Sequence, residues 1–110
     1  MTVQDLINAD VFKTCKVADP AREISKTFNC DLLSIAMSKA PSDCAWITVM
    51  GNVNTLAVAT LADVACIILA EGVLFDEAGA AKLDATDINV FTTDMPVFEA
   101  SLKVYELLNA

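Results

Sequence analysis

Two short groups of residues have the types and spacing to hold a small anionic ligand. Lys26, Thr27 and Asp31 bring a cation, a hydroxyl and a carboxylate into one short stretch. Gly51, Asn52 and Asn54 lie between an apolar run and a segment of helical periodicity. A strand-to-helix turn of that kind presents free backbone N–H groups and the positive end of a helix dipole, where phosphates bind. The chemistry this supports is recognition of a nucleotide or phosphorylated metabolite.

Catalysis has less to draw on. Histidine is absent, so no Ser-His or Cys-His pair can form. There is no Gly-x-x-x-x-Gly-Lys-Ser/Thr phosphate loop and no Gly-x-Gly-x-x-Gly. A Cys-Lys or Ser-Lys arrangement can be drawn, but no spacing favours it. Asp31, Asp43, Asp63, Glu71, Asp76 and Asp94 are scattered, mostly where helix caps or turns are expected. Asp31 itself suits the N-cap of the helix that follows it. Cysteines 15, 30, 44 and 66 form no Cys-x-x-Cys pair, so the expectation is idle or buried thiols and no metal site or cofactor.

The elements that position these residues are legible around Asp43–Gly72. Ala45–Val49 is a short apolar run, Met50-Gly51-Asn52 breaks it, Val53–Ala62 has helical spacing, and Ala65–Ala70 contains no polar residue. A strand apolar on both faces needs cover on both, which places it inside a parallel sheet. Upstream, Thr2 and Asp5 form a capping-box pattern for a first helix. Val11–Val17 reads as a strand whose lysines, Lys13 and Lys16, suggest an outer position. Glu23–Phe28 is either a strand or an ordered loop. Leu32, Leu33, Ala36, Met37 and Ala40 predict a helix buried on most sides. Downstream, Asp76-Glu77 opens a weak helix that contains Gly79, and Ile88–Thr92 is a strand. Thr93 or Asp94 caps a last helix, with Pro96 in its first turn. In that helix Phe98, Leu102 and Tyr105 make one row, expected to cover the sheet. Strands and helices in alternation predict a three-layer α/β/α sandwich with a mostly parallel sheet of about five strands.

A chain of 110 residues is one domain, 1–110. Hydrophobic residues make up 55%, rich enough to expect some apolar surface buried against a partner subunit. The net charge is −8, with pI ≈ 4.1, which disfavours nucleic acid and anionic membranes because both demand basic patches. No stretch approaches the ~20 apolar residues of a membrane span. Met1–Asp5 lacks the features of a signal peptide, so a cytoplasmic location is expected.

Several landmarks then line up. Arg22-Glu23-Ile24 precedes Asp31-Leu32-Leu33-Ser34. Trp46-Ile47-Thr48, Asn54–Ala59, Ile67-Ile68 with Glu71-Gly72, Phe98-Glu99-Ala100 and Tyr105-Glu106-Leu107 follow. Together, over Val3–Leu108, they resemble a stand-alone DRTGG domain. The resemblance implies a fold similar to the N-terminal domain of HPr kinase/phosphorylase. Relatives appended to CBS-domain pyrophosphatases and to long phosphotransacetylases look regulatory or dimer-forming. Single-domain relatives keep company with iron-only hydrogenase and NADH-dehydrogenase-like components. The kinase half is missing here, so kinase activity is not carried over. Where relatives have glycines, this chain has Lys26, Thr27 and Cys30, which weakens any anion-cradling role for that loop.

The expectation is therefore a non-catalytic regulatory or protein-interaction module, homodimeric, with a redox complex as a possible host. The alternative is a small-ligand sensor using Lys26, Thr27, Asp31, Gly51, Asn52 and Asn54. On the first reading Gly51→Val leaves the fold intact; on the second it abolishes ligand-dependent stabilisation.

Overall fold

Cys44–Thr48 forms β3 and Cys66–Leu69 forms β4, and every residue of both is buried. In the computed structural model, which describes residues 1–110, they lie inside a five-stranded sheet. The other strands are β1 (Lys13–Lys16), β2 (Lys26–Asn29) and β5 (Asn89–Thr92), in the order β1-β5-β4-β3-β2. β2, β3, β4 and β5 run parallel, and β1 pairs antiparallel with β5. Of the segment left open by the sequence, Glu23–Phe28, the second half belongs to the edge strand β2, while Glu23–Ser25 precedes it outside the strand.

The helices are α1 (Val3–Ala9), α2 (Leu33–Lys39), α3 (Val53–Ala62), α4 (Glu77–Leu83) and α5 (Val97–Leu108). The strands β2 to β5 are laid down in one direction across the sheet. Crossovers of constant hand then put α2, α3 and α4 on one face. Ala36, Leu56 and Ala59 pack there with Trp46, Ile67 and Val90. The chain ends cover the other face: Val3 and Leu6 of α1 and Ala100 and Val104 of α5 pack with Ile47, Ile68 and Phe91. The architecture is the expected α/β/α sandwich. No helix is long and apolar enough to cross a membrane.

Local chemistry explains several boundaries. Asp5 N donates to Thr2 Oγ1 at 3.1 Å and Thr2 N to Asp5 Oδ2 at 2.9 Å, completing the capping box. The Thr2 N–H holds the Asp5 carboxyl below its ordinary value. β1 is an outer strand, as its lysines suggested, and Lys16 Nζ donates to the Leu83 and Thr86 carbonyls at the end of α4. Asn89, buried at the start of β5, accepts from Ala18 N at 2.8 Å and Asp19 N at 2.9 Å and donates to the Ala65 carbonyl at 3.0 Å.

Three expectations need correction. Helix α2 buries only Ala36, while Leu32, Ile35 and Met37 stay 58, 45 and 55% exposed. It packs as a single layer on the sheet, so its outer half meets nothing. Neither Thr93 nor Asp94 caps α5: Pro96 holds the N-cap position, and Thr93 Oγ1 instead accepts from Met95 N at 3.2 Å. The row Phe98, Leu102 and Tyr105 does not cover the sheet. It is 72, 41 and 58% exposed, while Ala100, Ser101 and Val104 face inward.

Candidate functional site

The six ligand candidates fall at opposite ends of the sheet. Asp31, Gly51, Asn52 and Asn54 follow β2 and β3, at the carboxyl ends of the parallel strands. Lys26 and Thr27 open β2, at the far end. Five extended residues separate Lys26 from Asp31, roughly 16 Å at strand rise. A cleft shared by Lys26, Thr27 and Asp31 is therefore not formed.

Asp31 is not the cap of α2. Leu32 holds that position and makes no side-chain cap bond. The chain is still pinned to the sheet here, since Cys30 N donates to the Ile47 carbonyl at 3.4 Å. Asp31 Oδ1 instead accepts from Thr48 Oγ1 at 2.7 Å and Val49 N at 2.9 Å. Thr48 Oγ1 in turn accepts from Met50 N at 3.2 Å. This carboxylate ties the end of β2 to the end of β3.

The turn into α3 closes on itself. Asn52 Oδ1 accepts from Asn54 N at 2.9 Å and Thr55 N at 3.2 Å, the donors an anion at this helix end would use. Thr55 Oγ1 donates to the Met50 carbonyl at 2.8 Å. Only the Asn54 side chain stands exposed. Gly51 is needed for close approach: a Cβ there would meet the Leu74 carbonyl oxygen at 2.4 Å. Asp76 N also donates to the Gly51 carbonyl at 2.7 Å. Gly51→Val therefore displaces the 73–76 connector and cannot serve as the harmless substitution that the interaction reading assumed.

Two hollows exist elsewhere. At the carboxyl end, Lys13, Gly72, Leu74, Thr92, Thr93 and Asp94 line about 280 Å³. Antiparallel β1 delivers Lys13 opposite Thr92. Glu71 and Gly72 turn back there with φ of 60° and 73°, a conformation that glycine adopts freely and that Glu71 takes as a non-glycine residue. At the other end, Ser25, Lys26, Thr27, Tyr105, Leu108 and Asn109 line about 330 Å³ between β2 and α5.

Arg22, noted in the sequence only as a landmark, lies at the amino ends of β3 and β4. Its Nη2 and Nε donate to Asp43 Oδ1 at 2.7 and 3.0 Å, and Nη2 also reaches the Asp63 carbonyl at 2.6 Å. Burial opposes its charge, but Asp43 and Asp63 more than offset that and hold the guanidinium above its ordinary pKa. Both aspartates have positive φ, so this cluster latches two tight turns. The thiols do not gather. Cys15 lies on one edge strand and Cys30 beyond the other, and buried Cys44 and Cys66 belong to opposite faces of the sheet. Burial pushes the Cys44 thiol up to about 12 and raises Cys66 further.

Compared with models of known protein families and with curated protein sequences, the chain matches none of either.

Proposed function

We propose that this chain is a regulatory or protein-interaction module without catalytic activity, working in the cytoplasm as DRTGG-like domains are expected to. The observation that carries the reading is the row Phe98, Leu102 and Tyr105, three large side chains left exposed along the longest helix. Surface of that kind marks contact with another protein. The family resemblance directs the search for a larger partner to hydrogenase- and NADH-dehydrogenase-like subunits. A ligand-sensor reading draws support from the hollow at Lys13, Gly72 and Asp94, whereas at the α3 turn Asn54 N and Thr55 N are already engaged by Asn52.

The test follows association, with itself and with such subunits, by light scattering. Phe98→Ser/Tyr105→Ser is expected to weaken binding at least about tenfold. Its melting temperature should stay close to wild type, because both side chains are solvent-exposed. A dose-dependent stabilisation of several degrees by a nucleotide or phosphometabolite, with association indifferent to that double substitution, overturns the reading in favour of a sensor.

A further inference from the structure

The two edges of the sheet are built differently. β1 carries Lys13 and Lys16, and its pairing shifts register between Thr14 and Lys16. Lysines and irregular register are the usual protection against edge-to-edge pairing. β2 has a regular register, no proline, and a single lysine at its start. Its outer side has no neighbouring strand. The N-terminus pairs only with the segment before it, through Thr2 and Glu23, and leaves 26–29 free.

The direction of the free groups follows from the ladder. Cys30 N donates inward to the Ile47 carbonyl. Alternate residues of a strand point their backbone groups to opposite sides, so the N–H and C=O of Thr27 and Asn29 face outward. The apolar row of α5 lies on the same side. Ser101 Oγ sits 2.5 Å from Asn29 Oδ1, and Tyr105 overlooks Ser25, Lys26 and Thr27.

We propose that a second copy of this chain docks on β2, strand against antiparallel strand about a two-fold at Phe28, with the Phe98, Leu102 and Tyr105 rows of the two α5 helices meeting across the axis. This deepens the interaction reading above and rests on it. The pairing matches the outward groups: Thr27 faces Asn29 of the second copy, and each such pair exchanges two hydrogen bonds. It also matches side chains: Phe28, only partly buried at the open edge, meets Phe28 of the second copy in the close pair on the axis. The result is one continuous ten-stranded sheet.

Three variants test it. Thr27→Pro deletes an outward N–H and leaves the ladder to β3 in place; Thr27→Val keeps that N–H. Light scattering should report twice the 11.7 kDa chain mass for wild type and Thr27→Val, and the single mass for Thr27→Pro. Independently, Lys26 faces Cys30 of the second copy in a close, non-hydrogen-bonded pair, about 4.5 Å between Cα atoms and within disulfide reach. In a Cys15→Ser background, Lys26→Cys should give a covalent dimer with oxidised glutathione, and adding Cys30→Ser should abolish it. A wild-type monomer at every concentration overturns the proposal. So does a folded Thr27→Pro dimer, or failure of Lys26→Cys to cross-link. If association is lost with Phe98→Ser/Tyr105→Ser but indifferent to Thr27→Pro, the strand pairing falls and the interaction reading stands. If neither matters, both fall.

Discussion

Gly51→Ala decides what the glycine in the β3–α3 turn is for. The added Cβ would sit 2.4 Å from the Leu74 carbonyl oxygen, 3.0 Å from its carbon and 3.1 Å from Val73 Cγ1. Two of these three atoms are backbone, so truncating a side chain cannot relieve the contact. The 73–76 connector has to back away by roughly 1 Å to reach ordinary van der Waals distance. Overpacking of this kind costs about 1–3 kcal/mol. The retreat also stretches the 2.7 Å bond from Asp76 N to the Gly51 carbonyl, worth about 1 kcal/mol. The sum is about 2–4 kcal/mol, a large share of a domain's usual ~5–15 kcal/mol. That corresponds to a fall of roughly 8–20 °C in melting temperature. The assay is thermal and urea unfolding with no ligand present. A cradle for an anion predicts the reverse: stability unchanged without ligand, and ligand-dependent stabilisation lost. A Gly51→Ala protein melting within about 2 °C of wild type would refute the packing argument.

Two further outcomes follow from buried groups. Asn89→Ala should cost about 2–3 kcal/mol by urea unfolding, because the buried Ala65 carbonyl loses its donor and the Ala18–Asp19 turn loses its acceptor. Asn89→Asp keeps the acceptor but sets a carboxylate against that carbonyl. Its pKa is then raised in the folded state, so its deficit should grow as pH rises through the carboxylate range and shrink below it; a pH-independent deficit counts against the assignment. For the thiols, a disulfide reagent should modify Cys15 quickly, Cys30 more slowly, and Cys44 and Cys66 only on unfolding. Both buried thiols are raised in the folded state, so their contribution is full below the ordinary 9.0 and is lost as pH climbs past it toward about 12. Four equally fast thiols in native protein would contradict the burial.

Asp31 shows where sequence reading stops. Its position before an apolar helix made it an N-cap candidate by local rules. Its real partners, Thr48 and Val49, lie 17 and 18 residues away on a neighbouring strand. The same holds for Arg22, whose carboxylate partners come from two turns at separations of 21 and 41 residues. The row Phe98, Leu102 and Tyr105 was legible as a shared helix face, but periodicity does not say whether anything covers that face.

The amino-acid sequence by itself determined the parts that depend on near neighbours and on the two-sided apolarity of a strand. These are the capping box of α1, the lysine-marked outer strand β1, the buried β3 and β4, the helix between them, and hence a layered sandwich on a mostly parallel sheet. Only the tertiary structure decided which surfaces and groups remain available. It separated Lys26 and Thr27 from Asp31 along one strand, gave Gly51 to the Leu74 backbone, and left β2 and the side of α5 uncovered. The physical reason is range. Local bonding and periodicity act within one or two turns of chain, whereas exposure and close approach depend on which distant segment packs alongside.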